Sequence, residues 1–196
     1  MIAFERLQVV YIRIPKTANR SITAALRNLD ESDGVAIHPE KGQPYWKRIV
    51  VPKKFQSFLT IMCVRNPYSR IASHYRHRHL KKTSGAVYTK AKDWSFEKYL
   101  SWLEGKIDVF ANSRDILQVD YLYANKSMNI TILKQERLQQ DFQNLPFVPD
   151  GFILPRKNVA APYNWREYYN QTTADRVYRW AEADFEMFDY DRNSWK

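Results

Sequence analysis

Between Val9 and Ile22 the chain changes its periodicity once, and that change restricts the folds open to it. Val9-Val10-Tyr11-Ile12-Arg13-Ile14 is an apolar, β-branched run that reads as a buried strand. Pro15 stops the run, a polar loop with Lys16 follows, and helical spacing starts at Ser21-Ile22-Thr23-Ala24-Ala25-Leu26. Strand, lysine loop and helix start, in that order, make a receptor for an anion. The N–H groups of the helix's first turn point outward and the helix dipole adds partial positive charge. Lys16 adds a full charge, and Thr17 and Ser21 add hydroxyls. The loop is not of the Walker A type, which needs G-x-x-x-x-G-K-[ST], because no glycine lies between Val9 and Ile22.

A second stretch repeats the same grammar. Phe58-Leu59-Thr60-Ile61-Met62-Cys63-Val64 reads as another buried strand and ends at Arg65. Pro67 then opens a helix at the favoured first-turn position. Ser73 follows two turns in, giving the spacing Arg65-x-Pro67-x-x-Arg70-x-x-Ser73.

The pair resembles the sulfotransferase superfamily, and its carbohydrate (Golgi-type) branch in particular. Those enzymes carry an I-P-K-T-x-x-x-S loop for the 5′-phosphosulfate of 3′-phosphoadenosine 5′-phosphosulfate (PAPS). They also carry a V-R-[ND]-P-x-x-R-x-x-S-x-[YF] segment for its 3′-phosphate. The likeness continues through Trp94-Ser95-Phe96-Glu97-Lys98-Tyr99-Leu100, Gln118-Val119-Asp120-Tyr121-Leu122, Ile132 to Phe142, and Asp184-Phe185-Glu186-Met187-Phe188-Asp189-Tyr190. Ordered matches from residue 8 to 191 cover nearly the whole chain.

The resemblance implies an α/β fold in a single domain over residues 1–196, with a mainly parallel central sheet flanked by helices and a P-loop-like phosphosulfate loop. It implies PAPS as donor, with PAP as product, and a hydroxyl on a carbohydrate-like or other acceptor, anionic or neutral. Lys16 would contact the phosphosulfate and steady charge on the departing oxygen. Thr17, Ala18, Asn19, Arg20, Ser21 and Ile22 would line the same turn. Arg65 and Ser73 would hold the 3′-phosphate, with Arg70 a second candidate, and Arg156, Lys157 and Asn158 would close over the donor. Relatives place a histidine or a carboxylate between the first helix and the second cofactor strand as base for the acceptor hydroxyl, and His38 or Glu40 fits that position. His77, His79 and Gln118 fall to the acceptor side. The chain departs from the family where Ala18-Asn19-Arg20 stands in place of the frequent Gly-Gly-Thr.

Composition supplies bounds. A chain of 196 residues with 44% hydrophobic and 15% aromatic residues suits one sizeable core. No apolar run approaches the roughly 20 residues of a membrane span, and the first residues lack a signal peptide's pattern. Animal relatives of this branch are typically anchored in the Golgi. The expectation here is a cytoplasmic protein of bacterial or viral type, or else a lumenal catalytic domain without its anchor. Cys63 is the sole cysteine, so no intrachain disulfide can form. No Cys/His or acidic cluster suggests a metal. The formal charge of +10 implies an anionic partner without naming it: PAPS, a sulfated or uronate-bearing glycan, and nucleic acid would all be attracted. The resemblance argues against nucleic acid. The alternative function is a non-catalytic nucleotide- or polyanion-binding protein of the same fold.

In order, the pattern predicts strands at 7–14, 34–37, 58–64 and 129–133. It predicts helices at 21–29, 52–57, 67–80, 95–104 and 136–145, and a last one capped by Thr172-Thr173 with Val177, Trp180, Ala181 and Phe185 at helical spacing. Residues 118–124 read as helical or partly extended, and the proline-rich 146–164 as a long loop. Alternating strands and helices imply a parallel sheet, whose ligands bind beyond the carboxyl ends of its strands. Lys16 and Arg65 both follow strand ends.

Overall fold

A computed structural model describes residues 1–37, 49–80, 94–107, 117–157 and 163–196. Five strands form one mixed sheet in the order β3-β1-β2-β4-β5, where β1 is Ile2–Phe4, β2 Val9–Ile12, β3 Val35–Ala36, β4 Leu59–Val64 and β5 Ile130–Lys134. β2, β4 and β5 are parallel, with Val10 opposite Thr60 and Val64 opposite Lys134. β1 runs antiparallel to both β2 and β3. The α/β class with a parallel centre is therefore as expected, and the antiparallel part is one strand, β1, with the two-residue β3 at its edge. β1 escapes a reading by periodicity because three apolar residues show no period. It returns into β2 through a tight turn in which Gln8 takes φ 53°. Asp30, buried at the end of the first helix, accepts the Leu7 N–H at 2.8 Å and steadies that turn.

The described chain forms two compact units, Met1–Arg65 with Gln118–Ala161 and Asn66–Leu117 with Pro162–Lys196. The first holds the sheet. β2 and β4 alternate no polar residue onto a solvent face: Val9, Val10, Tyr11, Ile12, Ile61, Met62, Cys63 and Val64 are all fully buried. That pattern belongs to strands covered on both sides. Helix α1 (Asn19–Asp30) contributes Ile22, Ala25 and Leu26 to the core, and α5 (Leu138–Gln143) contributes Leu138 and Phe142. Each fully buried Leu or Ile contributes about 1.5–3 kcal/mol. The short helix α4 (Val119–Tyr123) settles the ambiguous 118–124 segment as helical. Asn125 just after it is buried, accepts the Val51 N–H at 2.7 Å, and donates to the carbonyls of Ile49 and Tyr121 at 2.8 Å each.

The second unit is built on aromatic side chains. Helix α2 (Pro67–Leu80) has the predicted bounds, and Asn66 caps it by accepting the N–H groups of Tyr68 and Ser69. Tyr68 packs at 5.0 Å from Tyr169 and 4.8 Å from Phe185 of α6 (Gln171–Met187), centroid to centroid. Arg176 of α6 pairs with Glu104 of α3 (Phe96–Ile107) at 2.6 Å. The cap of α6 lies earlier than Thr172-Thr173. Asn170 accepts the Thr173 N–H while the Thr173 hydroxyl accepts the Asn170 N–H, so Thr173 is the third residue of a capping box. Val177, Ala181 and Phe185 are buried as their spacing predicts, and Trp180 packs at the margin of that core.

Among the described residues no helix is long and apolar enough to cross a membrane. Cys63 lies fully buried in β4, and burial pushes its thiol up from the ordinary range. Only the thiolate reacts, so an aromatic disulfide reagent leaves the native protein unlabelled and modifies one thiol after denaturation. Fast labelling of native protein would contradict the packing of β4.

Candidate functional site

β2 and β4 are adjacent and parallel, so their carboxyl ends open at the same edge of the sheet. After β2 the chain passes through Pro15 and Lys16 and enters α1 at Asn19. Two residues of this passage lie in the left-handed region, Lys16 at φ 69° and Ala18 at φ 59°. Ala18 occupies the N-cap of α1 and offers no side-chain cap, while its carbonyl accepts the Ser21 and Ile22 N–H groups. Left-handed geometry costs a residue with a Cβ about 1–2 kcal/mol. Glycine avoids that cost.

The strain is held by hydrogen bonds behind the loop. The carbonyl of Ile14 accepts the Thr17 hydroxyl at 2.8 Å and the Asn19 amide at 2.6 Å. Asn19 in turn accepts the Tyr11 hydroxyl at 2.7 Å. Tyr11 is fully buried, and burial holds its pKa well above the ordinary tyrosine range, so it remains a donor at physiological pH. These contacts correct the expectation for the Thr17 hydroxyl and show where two neighbouring side chains go. Thr17 is fully buried with its hydroxyl turned to Ile14, the Asn19 amide is spent on Ile14 and Tyr11, and Ile22 is fully buried in the core. Their side chains shape the turn from within; what Thr17 and Asn19 can offer an anion is backbone N–H, while the Ile22 N–H already goes to the Ala18 carbonyl.

Replacing Ala18 by glycine relieves the left-handed strain and gives up a partly buried methyl worth less than about 0.8 kcal/mol. The expected net gain is about 0.5–1 kcal/mol, or about 1–4 °C in Tm for a chain this long. A fall in Tm, read by differential scanning calorimetry, would show that the methyl's packing outweighs the backbone.

Ser21 is buried in the first turn of α1. Its hydroxyl oxygen accepts the Lys157 N–H at 3.1 Å, which ties the segment bearing Arg156 and Lys157 to the first turn of α1. Both of those side chains are exposed, as is Arg20. From the end of β4, Arg65 reaches across: its Nη1 donates to the Lys16 carbonyl at 3.3 Å. Arg65 is half-buried, and its own peptide is gripped by Gln118, whose Oε1 accepts the Arg65 N–H and whose Nε2 donates to the Arg65 carbonyl, both at 2.9 Å. Gln118 is fully buried. The expectation that it meets the acceptor is therefore corrected, since its amide faces a backbone and no solvent.

The first unit thus brings together Lys16, Ala18, Arg20, Ser21, Arg65 and Lys157. In the second unit Ser73 and His77 lie half-buried on α2, and Arg70 is 1% exposed in its interior. His38, Glu40 and Asn158 lie outside the described residues, as does the side chain of His79. Among the described residues, no three His, Cys, Asp or Glu side chains converge as metal ligands. The residue that sequence reasoning missed in its true role is Gln118. Nothing in its neighbours signals a side chain that will pair with a peptide 53 positions earlier.

Cationic side chains, a hydroxyl and a helix start without a side-chain cap form a donor set suited to phosphate or sulfate esters. A sequence profile described as the Sulfotransferase family matches residues 1–191. No curated protein and no solved structure shows a significant match to the chain.

Proposed function

This chain belongs to the sulfotransferase family, and we propose that it moves a sulfuryl group from PAPS to a hydroxyl of a carbohydrate-like acceptor. The observation that supports this reading is the Arg65 guanidinium set against the Lys16 carbonyl where two adjacent parallel strands end. A donor with phosphates at two ends needs two cationic contacts at fixed separation, and a rigid sheet edge provides it.

When bound, PAPS supplies the activated sulfuryl group, whose transfer breaks one sulfur–oxygen bond and forms another. Lys16, with the N–H groups of the α1 start, neutralises charge growing on the bridging oxygen. Ser21 keeps its hydroxyl hydrogen available for a phosphate, because its oxygen accepts from Lys157. Arg65 holds the 3′-phosphate by a charged forked contact. Arg156, Lys157 and Asn158 cover the donor. His38 or Glu40 takes the proton from the acceptor hydroxyl. The net charge of +10 favours an acceptor that is itself anionic.

The deciding experiment incubates purified protein with PAPS and a panel of neutral, uronate-bearing and sulfated oligosaccharides. Mass spectrometry then follows an 80 Da gain on the acceptor, the mass of one added SO₃ by stoichiometry, together with PAP release (about one PAP per sulfate added). Sulfation of an anionic member supports the reading in full. PAP binding with no acceptor sulfated would move the acceptor to another chemical class, and absence of both would refute PAPS as donor.

A further inference from the structure

We infer that Gln118 is a positioning residue for donor binding: its carboxamide replaces the missing strand partner at the end of β4 and fixes the peptide from which Arg65 reaches the Lys16 loop. This rests on the PAPS reading above.

The ladder explains the need. β4 pairs with β2 as far as Met62 and with β5 as far as Val64. Arg65 is the next residue, and Pro67 starts a helix two positions later. The Arg65 peptide groups thus lie past the last registered pair on either side, where a strand end ordinarily frays into its loop. Gln118 supplies what a neighbouring strand would have supplied, one acceptor for the N–H and one donor for the carbonyl, each at 2.9 Å. Among uncharged side chains only a carboxamide presents donor and acceptor side by side in this way.

The clamp itself is anchored. Gln118 precedes α4, whose Val119 and Tyr121 are buried, and Asn125 fastens the end of α4 to Ile49 and Val51. A rigid helix start therefore holds the amide, the amide holds the Arg65 backbone, and the guanidinium meets the Lys16 carbonyl at 3.3 Å. A side chain with several rotatable bonds binds an anion well only if its base is fixed. Otherwise ordering it costs about 0.5–1.5 kcal/mol at each binding event. Gln118 touches neither reacting atom nor donor and acts through Arg65.

The test is a double-mutant cycle on PAP affinity, measured by calorimetry well below the Tm of every variant. Q118M keeps the volume and removes both hydrogen bonds. In the wild-type background it is expected to weaken PAP binding about tenfold; in the R65A background its further effect is expected to be less than about twofold. Equal weakening in both backgrounds, or unchanged affinity with a lowered Tm, overturns the proposal and leaves Gln118 a purely structural residue. Should Q118M fail to fold, Q118E takes its place in the same cycle, since it keeps the acceptor for the Arg65 N–H and loses the donor. Wild-type protein that binds no PAP defeats the donor reading and this proposal with it. Wild-type binding that Q118M leaves intact defeats the proposal alone.

Discussion

Lys16→Ala is expected to lower kcat for sulfuryl transfer by about 10²–10³-fold, the usual loss when one preorganised charge-stabilising donor is removed. The change is confined because alanine can take the same left-handed conformation at φ 69° that Lys16 already occupies, at a similar cost. The Thr17 and Asn19 bonds to Ile14 that hold the turn involve no atom of the lysine side chain. Tm should therefore move little while turnover collapses. Steady-state kinetics with saturating PAPS separates the two effects, and an equal drop in kcat and kcat/KM would place the lysine's contribution in the transition state. A variant that keeps more than about a tenth of wild-type kcat would remove Lys16 from the chemistry.

Arg65→Ala acts first on affinity. Hydrogen bonds from a charged donor to a phosphate are worth about 1.5–3 kcal/mol, so PAP binding should weaken by about 10–100-fold. The variant also frees the Lys16 carbonyl from its 3.3 Å contact and so slackens the loop, which adds a smaller loss in kcat. Arg65→Lys should recover only part of the affinity, because an ammonium cannot make the forked contact. Calorimetry on the three proteins orders them as wild type, then lysine, then alanine. Equal affinity for wild type and Arg65→Ala would mean that the guanidinium only braces the loop.

The strands and helices that carry the site were legible because their signals are local. An unbroken apolar run announced β4, and Pro67 announced the start of α2. The placing of Lys16 and Arg65 at one end of the sheet followed from two parallel strands, each followed by a cationic residue. The directions of individual loop side chains were hidden. Thr17 and Asn19 turn inward because Lys16 and Ala18 adopt positive φ, a conformation that only glycine would have advertised. Gln118 was misassigned for a different reason. Its partner is a backbone 53 residues away, and a carboxamide that pairs with a peptide has the same sequence signature as one that meets a sugar.

A single comparison of ligands bears most directly on the two-contact site: titrating wild type and Arg65→Ala with PAP and with adenosine 5′-phosphate. If Arg65 grips the 3′-phosphate while the Lys16 loop grips the other end, wild type prefers PAP by about 10-fold or more, and the variant binds the two nucleotides nearly alike. A preference for PAP that survives the loss of Arg65 undiminished would contradict the account.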